Sequence, residues 1–337
     1  MFDVRHTAQK LVLSGAYWSG AAAIASRFLS GCGAILMLHR VNAGGPSPLN
    51  FNTHLTITPE FLDVVLRDIR RQGLAFVSMD EMVENLALGR TGTVAVTLDD
   101  GWLDNLTDAL PVFEAHNVPF TVYVTTGFVS GDVAPWWEVI EEFVAVDGQV
   151  DLPTVQAAGD SKSQIRALIR HLWREMPQTE QQAFLRRIGA IDDSNPRRFM
   201  NWDEVRLLSS HPLATIGAHT VHHYNLRRLD EEAAWFEMIE SGCIIERETG
   251  MRPRHFAYPY GSPRAAGERE ARLAEGAGFA SAVTTRHGVL QHEHREHLHA
   301  LPRISINGRY QRLPYVRTLL SGLSTAIANR GKTLVTL

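Results

Sequence analysis

Residues 94–101 run Val94, Ala95, Val96, Thr97, Leu98, Asp99, Asp100, Gly101. Five apolar or β-branched residues predict a buried strand, and the strand delivers two carboxylates to its C-terminal end just before a glycine turn. In α/β folds that edge of the sheet is where active sites collect. Adjacent carboxylates repel, and burial raises their pKa values unless a cation or hydrogen-bond donors hold them ionised. A bound metal removes that conflict. The alternative is an Asp-Gly turn with two solvated acids, and the segment alone does not decide between the two.

On either side of this strand, short apolar runs alternate with amphipathic stretches, as when crossover helices join parallel strands. Candidate strands are residues 34–38, 75–77, 94–98, 120–124, 215–216, 255–257, 281–283 and 301–306. The fold class is α/β, as a barrel or a sheet. Thr58 and Pro59 predict a capped helix start, with the helix running to about Arg71 and stopping near Gly73. Asn201 stands three residues before Glu204, the spacing of a capping box. Residues 135–199 lack a clear strand and carry helical patterns near 136–144, 165–173 and 178–188, which predicts an inserted helical cap. Residues 287–299 hold five histidines and read as a solvated loop.

The 337 residues are 45% hydrophobic and 21% charged, enough apolar material for a full core. A net charge of −4 leaves no basic footprint for nucleic acid. Cys32 and Cys243 are too few for a disulfide framework or a thiolate zinc site. The weakly apolar run from Leu11 to Ala25 is diluted by Ser14, Gly15, Ser19 and Gly20, so it is too polar to span a membrane and is a poor export signal. The expectation is a cytoplasmic chain. Export, and contact of this segment with a membrane surface, stay open.

A second chemical segment follows the apolar run 214–218: His219, Thr220, Val221, His222, His223. On a helical turn His219 and His223 would face the same way. Two imidazoles and a carboxylate form a common site for zinc or a similar ion, leaving positions for water and substrate. Taken alone, the pair also fits surface or capping histidines, and His222 is assigned to that role. A third segment, Phe256 to Gly261, ends a strand in a turn through Tyr258, Pro259 and Tyr260, which alone reads as a rigid packed turn.

In this order the segments resemble the NodB-type polysaccharide deacetylases, carbohydrate esterase family 4, across about residues 34–306. The family's T-F-D-D-G appears as Thr97 to Gly101, and its H-[ST]-x-x-H as His219 to His223. The resemblance implies an irregular (β/α) barrel and a divalent metal, zinc first, with cobalt, manganese or nickel as alternatives. It implies hydrolysis of an N-acetyl group on a saccharide. Asp100, His219 and His223 would be the metal ligands and Asp99 the general base, with a backbone N–H near Tyr260, beside Pro259, for the oxyanion.

The family's acid is a histidine in an L-x-H motif. Here His39, after the strand 34–38, and His299, in His297-Leu298-His299, are the candidates. His39 is preferred, because it resembles the arrangement of a circularly permuted branch of the family. The family arginine that orients the base is replaced by Ala257, and the fourth-motif tryptophan is not evident around residues 282–285. Arg303, near the end of a late strand, is the candidate to hold Asp99 across the barrel opening. Its alternative is an exposed strand-end arginine. Trp136 and Trp137 are candidates to stack on sugar rings, although core packing suits at least one of them. The segment His292 to Glu296 does not match H-E-x-x-H.

The expected layout is an N-terminal helical segment (1–33), a barrel (34–134 and 200–308), a helical insertion (135–199) and a C-terminal helical tail (309–337). The competing functional readings are a non-catalytic saccharide-binding relative, prompted by the missing arginine and tryptophan, and a hydrolase of non-sugar amides.

Overall fold

The computed structural model describes residues 4–44, 47–146, 160–191 and 197–337, with side chains from residue 7 onward. Its strands in chain order are β1 (Gly33–Leu38), β2 (Arg40–Val41), β3 (Thr56–Ile57), β4 (Ala75–Phe76), β5 (Thr93–Asp100), β6 (Phe120–Val124), β7 (Ala214–Ala218), β8 (His255–Ala257), β9 (Ser281–His287) and β10 (Leu301–Ser305). Seven of them, all parallel, run β1-β10-β9-β8-β7-β6-β5 and close on themselves where β5 pairs β1 from Gly33↔Thr93 to Leu38↔Leu98. The expected irregular (β/α) barrel is therefore present. The expected strand at 75–77 is β4, which pairs only with the start of β5, beside the barrel wall.

All eight residues of β5 are buried, as in a parallel strand with both faces covered. Two of the helices begin where the caps predict. Thr58 Oγ1 accepts from the Phe61 N–H at 3.2 Å, opening the helix Pro59–Arg71, and Asn201 and Glu204 exchange reciprocal bonds ahead of Trp202–Ser209. Between β6 and β7, the helices Trp136–Val146, Ser161–Arg170 and Gln181–Arg187 share a core of their own around Val139, Ile140, Ile165, Leu168 and Phe184. The parts of the expected insertion at 147–159 and 192–196 lie outside the described residues.

The histidine-rich segment departs from the expected solvated loop. It forms a short 3₁₀ turn, His292–Glu296, in which His294 is fully buried and pairs through Nε2 with the Val335 carbonyl at 3.0 Å. At the N-terminus the apolar run is split into two helices, Val4–Trp18 and Ala21–Leu29, by Gly20 at φ 79°. Among the described residues no helix is long and apolar enough to cross a membrane.

Candidate active site

Strand register brings the chemistry together. Asp100 is level with Val124 and Val124 with Ala218, so His219 leaves β7 just above Asp100. Leu38 is level with Leu98, which sets His39 beside Asp99. The chain then turns sharply, with Asp100 at φ 79° and Gly101 at φ 85°. A β-carbon on Gly101 would lie 3.1 Å from Val124 Cγ1, so both the backbone angle and the neighbouring strand favour glycine there.

The two histidines do converge, but not on a helical turn as the spacing predicts. Residues 219–223 are irregular, and positive φ angles at Thr220 (65°) and His223 (57°) fold the loop back on itself. His219 Nε2 and His223 Nε2 approach Asp100 Oδ1 at 3.5 and 3.4 Å. One atom from each of the three residues lies within 4.8 Å of the others, and all three residues are buried.

This set fits a divalent ion. Ligand atoms each about 2.1 Å from a tetrahedral ion stand about 3.4 Å apart, close to the two separations seen here. His219 Nδ1 pairs with the Ala257 carbonyl at 2.7 Å, which makes it the protonated nitrogen and leaves the Nε2 lone pair facing Asp100. Burial, partly offset by Asp100, holds the His223 imidazole below its ordinary pKa, in the neutral form that ligates metals. Trp102, fully buried, donates from Nε1 to Asp100 Oδ2 at 2.9 Å and leaves Oδ1 to the histidines.

Asp99 has a different partner. Arg303 is not at the barrel opening but inside it, 1% exposed, and it grips Asp99 with both guanidinium arms. Nη1 to Oδ1 and Nη2 to Oδ2 are each 2.7 Å. The fork is itself fixed, with Nε donating to the Thr284 carbonyl at 2.9 Å and Nη1 to Thr97 Oγ1 at 3.0 Å. Burial acts to raise the Asp99 pKa, but the Arg303 charge and hydrogen bonds outweigh it and keep the carboxyl below its ordinary value.

His39, Asp99, Asp100, His219, His223 and Tyr260 all line one cavity of about 230 Å³. His299 is not part of it. It precedes β10, at the opposite end of the barrel, and its Nε2 pairs with the Phe279 carbonyl at 2.7 Å. Tyr258 is fully buried and bonds the His299 carbonyl, whereas Tyr260, at φ 62°, turns into the cavity after the buried Pro259. Trp136 donates to the Tyr260 hydroxyl at 3.0 Å, and Trp137 lies 4.8 Å from the His223 ring. Trp136 and Trp137 therefore both line the cavity, and Trp136 is also part of the cap's core.

Several supports carry no motif signal. Asp104 accepts from Arg40 Nε, Asn42 Nδ2 and the Val41 N–H, while Asn105 donates to the His39 carbonyl at 2.8 Å, so the turn after Asp100 fixes the backbone at His39. Glu141 accepts three backbone N–H groups, from Leu49, Phe51 and Asn52, each at 2.9 Å. That clamp holds the loop whose Phe51, Asn52 and His54 complete the cavity wall. The pairing was hidden because about 90 residues separate Glu141 from the loop. The position after Asp-Asp-Gly was the one available signal for Trp102.

Residues 89–279, more than half of the chain, match the family model described as polysaccharide deacetylase. The chain belongs to the polysaccharide deacetylase family. It is thus a hydrolase of carbon–nitrogen bonds other than peptide bonds, in a family of divalent-metal enzymes, and it carries a buried triad able to hold such an ion. The solved structures similar to this deacetylase include the Streptococcus pyogenes deacetylase PplD in complex with acetate (17% identity, TM-score 0.59, covering 85% of this chain and 97% of that one). They also include IcaB from Ammonifex degensii (18%, 0.56, 86% and 97%). A third is a de-N-acetylase from Aggregatibacter actinomycetemcomitans (14%, 0.53, 85% and 99%). At these identities the likeness is one of fold, the NodB-type barrel. No curated protein matches the chain in sequence.

Proposed function

We propose that this chain removes N-acetyl groups from an amino sugar in a polysaccharide, oligosaccharide or glycan precursor, with a divalent metal held by Asp100, His219 and His223. The observation that carries the reading is the juxtaposition, in one buried cavity, of that triad with an Asp99 locked by Arg303. When bound, the ion polarises the acetyl carbonyl and lowers the pKa of water; zinc suits two imidazoles and a carboxylate best, with cobalt, manganese or nickel as alternatives.

Asp99 takes a proton from the attacking water as the new C–O bond forms. Arg303 keeps that carboxylate ionised and aimed, doing the work that the absent arginine at Ala257 would do. The backbone N–H of Tyr260 donates to the oxyanion of the tetrahedral intermediate. His39 delivers a proton to the nitrogen as the C–N bond breaks, giving a free amine and acetate. Among the described residues, 34–134 and 200–308 would make the catalytic barrel, 135–199 the cap, and 1–33 and 309–337 the helical flanks.

Support for a sugar comes from the cavity wall, where Trp136, Trp137, Tyr260 and Phe51 offer aromatic faces to a pyranose ring. A volume of about 230 Å³ favours admission of one sugar unit at a time. One similar structure is that of a de-N-acetylase, which favours cleavage of an amide. The non-catalytic reading rests on the missing arginine and the missing fourth-motif tryptophan, and the Arg303–Asp99 fork weakens the first of these grounds. Acetate release from a panel of N-acetylated saccharides tests the proposal. Asp99→Asn should bind zinc stoichiometrically and release none; normal turnover in that variant would remove Asp99 as the base.

A further inference from the structure

The charge of the chain is unevenly placed. Residues 4–33 and 306–337 contain eight Lys and Arg and no Asp or Glu, which leaves 25 of the 33 basic residues against all 37 acidic ones elsewhere. The helices of these two stretches pack together, Val4–Trp18 on Leu313–Leu320 and Ala21–Leu29 on Leu323–Ala328. Arg317 is tied to the buried Asp68, whereas Lys10, Arg27, Arg312, Arg330 and Lys332 have no carboxylate partner among the described residues.

The same helices expose large apolar side chains. Trp18 and Phe28 are 77% and 80% exposed, and Leu11, Val12, Ile24 and Ile327 are each more than half exposed. Leu11 and Trp18 are two helical turns apart, and Ile24 and Phe28 one turn apart, so each helix presents a stripe. Val12 and Ile327 line one groove of about 440 Å³, which joins the N-terminal helix to the C-terminal ones.

We propose that this face docks on an anionic lipid bilayer, its apolar side chains entering the headgroup region while its basic side chains meet lipid phosphates. Aromatic and aliphatic stripes flanked by Lys and Arg are the composition of helices that lie in a membrane interface. A second copy of the chain suits the face poorly, because a symmetric contact would set two strongly basic patches against each other. The inference does not depend on the deacetylase reading.

Vesicle co-sedimentation of the whole chain tests it, with vesicles of phosphatidylcholine alone against equal parts phosphatidylcholine and phosphatidylglycerol. Binding to the anionic vesicles only, weakening as salt is added, is the expected result. The double variant R27Q/K332Q should lower the partition coefficient roughly 25-fold, about fivefold per basic residue. The variant W18S/F28S should lose binding with an unchanged circular dichroism spectrum. Failure of the native chain to bind anionic vesicles, or equal binding by both variants, would overturn the proposal. So would a dimer in sedimentation velocity that W18S/F28S dissolves, without vesicle binding, which would assign the face to a second copy.

Discussion

Arg303→Met separates a working ion pair from an incidental one. The Arg303 side chain is 0% exposed and that of Asp99 3%, and their two contacts at 2.7 Å are the carboxylate's only salt bridges among the described residues. Methionine occupies part of the vacated space but leaves a buried carboxylate without its cation. Breaking a buried pair by removing one partner costs about 3–5 kcal/mol, against about 0–1 for an exposed pair. Urea unfolding followed by tryptophan fluorescence at neutral pH should show that loss. The double variant Asp99→Asn/Arg303→Met buries no unpaired charge and should recover much of it, with a coupling energy of about 2–3 kcal/mol in the cycle. Arg303→Lys keeps the charge without the fork, so it should fall between the two in both stability and turnover. A loss below about 1 kcal/mol in the single variant, or additive effects in the cycle, would refute the reasoning.

Burial pushes the Glu138 carboxyl up to about 7, with Arg40 pulling the other way, so the folded state favours the protonated form. The stability this provides is present in full below about pH 4.5 and disappears as pH rises through 7; Glu138→Gln should therefore stabilise the protein by up to about 3 kcal/mol at pH 8 and change little at pH 4, and a Gln variant weaker than the native chain at pH 8 would reverse the sign. Burial lowers His287 to about 4, so its contribution runs the other way: it is present above about pH 6.5 and lost as pH falls towards 4, and His287→Gln should flatten the acid limb of a melting-temperature profile. Trp102→Phe removes the donor to Asp100 Oδ2, and zinc affinity measured by chelator competition should fall about 10–100-fold. Gly261→Ala puts a β-carbon 2.4 Å from the Thr285 nitrogen at φ 47°; Tyr260 should shift and deacetylation should drop, and unchanged kinetics would show that the turn tolerates it.

The strand 93–100 and its terminal carboxylates were legible because a parallel strand buried on both faces writes a continuous apolar run and its end marks the reactive edge. His219 and His223 were legible as a pair, but for the wrong geometric reason: spacing alone does not reveal that Thr220 and His223 take positive φ. Arg303 could be named as a candidate, yet its interior position depends on β10 sitting between β9 and β1, a consequence of barrel closure that no local pattern carries. Asn105 and Glu141 act through contacts set by tertiary packing, across 66 residues for Asn105 to His39 and about 90 for Glu141 to its loop. The burial of His294 had no local signal either, since its acceptor, Val335, lies 41 residues away.

A metal held by Asp100, His219 and His223 would make Asp99 a catalyst of amide hydrolysis. The most direct test is acetate release from an N-acetylated saccharide by chelator-stripped protein, before and after one equivalent of zinc. Activity absent from the stripped protein, restored by zinc in the native chain and not restored in His223→Ala is the predicted result. Equal acetate release with and without metal, or full restoration in His223→Ala, would contradict it.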